Sequence, residues 1–108
     1  MTISSPKIMN LLVHKMSWSV AKTQRLNQNI ANYDTPGYVR KDIEPFEKTY
    51  KQINGDNNTF RTIQDSSEVN REHEMLGLTE TATDYQTNMQ LFKKYLSLMK
   101  TVIGTKTS

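Results

Sequence analysis

The sequence has no cysteine in its 108 residues. That excludes a disulfide framework, a thiolate metal site and a cysteine nucleophile. Glycine is scarce, and Gly37, Gly55, Gly77 and Gly104 each stand alone, so there is no glycine-rich loop to cradle a phosphate. No apolar run approaches the roughly 20 residues that a membrane-crossing helix needs. Direct membrane insertion is therefore not expected. In MTISSPKIMNLLVHKM the apolar stretch is broken by Asn10, His14 and Lys15, so the chain reads as one without a cleaved signal peptide. Apolar residues are only 35% of the chain and mean hydropathy is −0.70, too little for a chain of this length to build a large core of its own. One domain at most is expected, with burial continued in a partner.

Acids are missing from residues 1–32, where Lys7, Lys15, Lys22 and Arg25 stand unopposed. Residues 65–84 reverse this, carrying Asp65, Glu68, Glu72, Glu74, Glu80 and Asp84 against Arg71 alone. Nucleic acid would call for a basic stripe with interleaved aromatics, and a net charge of +3 arranged in this way offers none. The distribution suits two complementary helices, with the bases of residues 22–32 meeting the acids of residues 65–84.

Two long helices dominate what is present. Ser5 is a good N-cap and Pro6 fits the first helical position, where its missing N–H costs nothing. From there Met9, Leu12, Met16, Ser19, Thr23, Leu26 and Ile30 recur at steps of three and four, a heptad seam with a hydroxyl-bearing centre. Leu11, Val13, Trp18, Val20 and Ala21 lie off that seam, so this helix is apolar on more than one side. The second helix should start at an Asn70 N-cap, with Glu72 and Glu74 at the positive end of its dipole and Lys93, Lys94 and Lys100 towards the negative end. Met75, Leu78, Ala82, Tyr85, Met89, Phe92, Leu96, Met99 and Ile103 follow the same period without a miss, and Gly104 is the expected stop. Such a helix is about 50 Å long at 1.5 Å per residue and requires a long partner.

Between the helices, Pro36 should end the first near Asn32 or Tyr33, and Pro36-Gly37 fits the centre of a type II turn with positive φ at Gly37. The expected role of residues 32–38 is a rigid exit that directs the following segment onto a neighbouring subunit, with Asn32 and Asp34 bonding the freed backbone. Residues 38–64 are mixed in charge. Pro45 could open a short helix over Phe46, Tyr50 and Ile53, with an Asn54-Gly55 hairpin as the rival, and residues 54–67 read as mobile. His14 and His73 lie on different helices and read as solvated surface residues. No cofactor, metal ligand set or catalytic group is expected. The fold expected is all-α: residues 1–33 and 68–108 form an antiparallel, coiled-coil-like helical hairpin, joined by a partly disordered segment at 34–67.

Asn29-Ile30-Ala31-Asn32 followed by Asp34-Thr35-Pro36-Gly37-Tyr38 resembles the signature at the end of the N-terminal helix in the axial proteins of the bacterial flagellum. Glu74-Met75 and Tyr85-Gln86-Thr87-Asn88 are similar to their C-terminal helix, and Arg40-Lys41-Asp42-Ile43 with Phe46 resembles the proximal-rod B type of the basal-body rod proteins. Tyr33 departs from the pattern, where a small residue is usual. The resemblance covers roughly residues 18–47 and 68–104. It implies a structural subunit, not an enzyme, that is exported without a cleaved signal and self-assembles into the periplasm-spanning rod. Its partners would be other rod subunits and the ring and export-gate proteins of the basal body. The rival reading is a soluble helical adaptor or secretion chaperone that binds one partner through its Met-rich helix face.

Overall fold

A computed structural model describes residues 4–52 and 60–107, with side-chain surroundings for residues 7–49 and 60–104. Two helices dominate it, α1 over Ser4–Ala31 and α2 over Arg71–Thr107, so the chain is mostly α as its two heptad patterns require. Between them lie a strand β1 (Arg40–Ile43), a 3-10 helix (Phe46–Gln52) and a strand β2 (Thr62–Asp65).

The helices run antiparallel. Asn29 meets Glu74, Leu26 packs over Gly77, and Val20 and Thr23 lie beside Ala82 and Tyr85, so α1 numbers rise as α2 numbers fall. A Cβ on Gly77 would stand 3.3 Å from Leu26 Cδ2, so the two helices approach closely there. All seven seam residues of α1 are buried or half-buried, with Leu12, Ser19 and Leu26 buried. The α2 seam is thinner. Leu78, Tyr85, Met89, Phe92 and Met99 are half-buried, whereas Met75, Ala82, Leu96 and Ile103 are exposed, and the residues α2 buries are Glu74 and Thr81.

The linker corrects the sequence reading. β1 and β2 pair antiparallel, Arg40 opposite Asp65 and Ile43 opposite Thr62, so part of the stretch expected to be mobile is a strand. The short helix after Pro45 is present as a 3-10 turn series, while Ile53 and Asn54-Gly55 lie outside the described residues. This ribbon packs on α1's second apolar side: Ala21, Ile43 and Phe60 form a core with Trp18 against it, and Trp18 Nε1 donates to the Glu44 carbonyl at 2.9 Å. Trp18 and Ala21, left over by the seam, are thus covered within the chain. Leu11, Val13 and Val20 remain exposed.

Helix α1 is already helical at Ser4, so Ser5 lies within it and is not its cap, whereas α2 starts as expected. Asn70 Oδ1 accepts from the His73 N–H at 3.0 Å, the N-cap bond its residue type favours. At the other end α2 runs through Gly104 to Thr107, so this glycine does not stop it. A glycine terminates a helix only where the chain needs to turn left-handed, and no positive φ occurs there among the described residues.

Candidate functional site, a buried polar junction

Helix α1 ends in its expected turn. Asn32 Nδ2 donates to the Gln28 carbonyl at 2.9 Å, Thr35 Oγ1 to Asn32 Oδ1 at 3.2 Å, and the Tyr38 N–H to the Thr35 carbonyl at 3.2 Å. Gly37 at the third position has φ 77°, the value a type II turn demands. Asp34 is exposed and takes part in none of these bonds. Pro36 is exposed, Ala31 exposed and Ile30 half-buried. The turn sends the chain back along its own α1 as β1, because Asn29 captures the returning backbone.

Asn29 is fully buried, and its amide is used completely. Nδ2 donates to the Lys41 carbonyl at 2.8 Å and to Glu74 Oε1 at 2.7 Å; Oδ1 accepts from the Lys41 N–H at 2.9 Å and the Tyr38 hydroxyl at 2.9 Å. One side chain therefore serves Lys41 as a neighbouring strand would, taking its N–H and C=O together, and ties that strand to α2. A donor and an acceptor on one short side chain are what this position needs; ionised aspartate supplies the acceptors alone and leucine neither.

Glu74 is the other fully buried member. Arg40 Nε bridges both its oxygens, at 3.1 and 3.0 Å, and Arg40 Nη1 reaches Asp65 at 2.9 Å and Asp42 at 3.3 Å. Lys22 Nζ closes on Asp42 Oδ1 at 2.7 Å. Burial on its own would lower the Arg40 pKa, but the Glu74 and Asp42 carboxylates outweigh it and raise it. Burial likewise works to raise Asp42, yet bonds from Lys22, the Ile43 N–H and Arg40 hold its carboxyl below the usual range. Asp65 is held low by the Ser67 hydroxyl and amide and then by Arg40. Tyr38 is pushed up, first by burial and then by Glu74. The set is a paired and hydrogen-bonded network, which is how buried charge is tolerated.

The bases of α1 thus do not meet the acids of α2 directly. Lys22 goes to β1, and Arg25 forks onto β2, reaching Thr62 Oγ1 at 2.8 Å and the Phe60 carbonyl at 3.0 Å. The ribbon lies between the two charge sets and pairs with both, through Lys22 and Arg25 on one side and Glu74 on the other.

A second polar contact lies farther along α1. His14, expected in solvent, is buried between the Phe46 and Phe60 rings. Thr49 Oγ1 gives its hydrogen to the Phe46 carbonyl at 2.7 Å, so at 2.8 Å it accepts from His14 Nε2 and fixes the Nε2–H tautomer. Nδ1 is buried with no partner, and burial lowers the pKa against the opposing Thr49 bond. His73 is exposed as expected.

Of the residues singled out from sequence, the junction joins Asn29 and Tyr38 of the turn set. It adds Arg40, Asp42, Asp65 and Glu74, none of which was expected as site residues. Their signal was the excess of charge in a chain with little core, but the partners lie as far as 45 residues apart and no periodicity connects them. Chemically the junction is closed: its donors and acceptors are directed at one another. Among the described residues no group of three or more histidines or acids is placed to hold a metal ion, and no helix is long and apolar enough to cross a membrane. Compared with known proteins, the chain matches no protein-family model, and no curated protein matches it either.

Proposed function

We propose that this chain is a structural subunit of the proximal rod of the bacterial flagellar basal body, polymerising through its N- and C-terminal helices. The observation that carries the reading is the stretch Asn29–Tyr38, which resembles the axial-protein signature and whose polar side chains, Asp34 apart, hold backbone and turn in place. Asn29 and Tyr38 anchor the junction, Asn32 and Thr35 cap the helix end, and Pro36-Gly37 turns the chain. Further support comes from large apolar side chains left in solvent on both helices, among them Leu11, Val13 and Val20 on α1 and Met75, Leu96 and Ile103 on α2. Surface of this kind marks interaction sites.

The experiment is deletion of the gene in its host, with an epitope-tagged copy restored and basal bodies purified. The proposal expects cells without rods and without motility, and the tagged chain recovered in the basal-body fraction of the restored strain. Motile cells with intact rods after deletion would overturn it. Recovery of the tagged chain in a stable 1:1 complex with one soluble partner would favour the adaptor or secretion-chaperone reading.

A further inference from the structure

Helix α2 turns one face to solvent along most of its length. At about 100° per residue, Leu76, Glu80, Thr87, Leu91, Lys94 and Leu98 fall within an arc of about 60°. Every one of them is exposed, with Leu76 at 56%, Leu91 at 41% and Leu98 at 60%. The face that meets α1 lies elsewhere on the helix, at buried Glu74 and Thr81 and half-buried Tyr85 and Phe92.

Charge on the outer face is polar. Glu80 lies in its first half, with Asp84 just beyond its edge, and Lys94 in its second, and no acid follows Asp84 in the chain. Turned antiparallel on itself with Thr87 at the axis, the face sets Leu76 against the second copy's Leu98 and Glu80 against the second copy's Lys94. A two-fold axis makes each contact twice. A parallel shift that brings Glu80 to Lys94 puts Asp84 on Leu98 instead, a carboxylate against a leucine. A leucine-bearing helix end with lysines also suits an anionic lipid surface, but Glu80 on the same face and Asp84 at its edge oppose that partner. The partner that matches both halves of the face is the face itself.

We propose that a second copy of this chain packs on this surface, α2 antiparallel to α2, in a closed two-fold dimer. The contact stands on this face and not on the rod reading, since a closed dimer adds no further copies. The test is sedimentation equilibrium of the full chain at low and high salt, with circular dichroism to verify that each variant keeps its helix. The wild type should dimerise more tightly at low salt. Glu80→Lys and Lys94→Glu should each weaken the dimer by at least about tenfold, because each sets like charges together at two symmetric points. The double variant should recover to within about threefold of wild type, as a compensating pair does in a double-mutant cycle. Because the chain has no cysteine, Thr87→Cys supplies a single thiol at the axis and should form a disulfide-linked dimer under mild oxidation much faster than Gln86→Cys, which points off the face. A monomer at all concentrations, a double variant as weak as the singles, or equal crosslinking at 86 and 87 would each overturn the proposal. So would binding to anionic lipid vesicles by a chain that stays monomeric.

Discussion

At the scale of single residues, the fold rests on a few polar side chains that the apolar pattern does not reveal. Removing Glu74 as Glu74→Ala leaves Arg40 buried against only Asp42 and Asp65, and should cost about 3 kcal/mol in chemical denaturation, the range for breaking a buried pair. Asn29→Asp should destabilise more than Asn29→Ala at neutral pH. It replaces a donor to Glu74 and the Lys41 carbonyl with a second carboxylate facing both, whereas alanine only leaves partners unpaired. Equal melting temperatures for the two variants would contradict that reading. His14 sets a pH dependence. Its folded pKa lies below the ordinary 6.5, so its contribution is complete above that value. As pH falls below it, the unfolded chain takes up a proton that the folded chain refuses, and stability declines until the folded pKa is passed. Asp42, also lowered, adds a second decline below its ordinary 3.8. Melting temperatures measured between about pH 7 and pH 5 should fall for the wild type and stay nearly flat for His14→Gln, which keeps a donor for Thr49 without a titrating ring. A parallel fall in both would remove His14 from the explanation.

At the scale of elements, the two helices, the Asn70 cap and the Pro36-Gly37 turn were legible because each is a local pattern: a period, a cap or a conformational requirement within a few residues. The ribbon was not. Arg40–Ile43 and Thr62–Asp65 are four residues each and charged, with neither the alternation nor the apolar run that announces a strand. They are held by Asn29, Arg25 and Trp18 from α1, contacts visible only after folding. His14 was misread for the same reason, since its pocket is built from Phe46 and Phe60, far along the chain. The turn gives a sharper expectation. Gly37→Val forces a β-branched residue to φ 77° and should cost at least ~1 kcal/mol, while Asp34→Asn, at an exposed carboxylate outside the bonding scheme, should be within about 0.5 kcal/mol of wild type. On α2, half-buried Phe92→Ala should cost more than exposed Leu96→Ala in the isolated chain, with Lys93→Ala as the solvent-facing control. Equal losses for Phe92→Ala and Leu96→Ala would mean that Leu96 packs as closely as Phe92.

At the scale of the whole molecule, three layers of contact divide the work. The α1 seam meets α2, the other side of α1 meets the ribbon, and the polar junction locks all of them together at the end where α1 turns back. The outer surface keeps exposed leucines and valines that this arrangement leaves uncovered; the proposed dimer covers Leu76, Leu91 and Leu98, and the proposed rod assembly gives the others a use. Under the rod proposal the Pro36-Gly37 turn acts through conformation, placing β1 for Asn29 to capture. The most direct test is to count rods in basal bodies purified from cells whose only copy of the chain is Gly37→Val, with export of that variant verified in the same cells. The expected result is an exported chain and no completed rods, against a normal count for Asp34→Asn. A normal count for Gly37→Val, or loss of rods with Asp34→Asn alone, would contradict it and shift the function of the turn to the carboxylate.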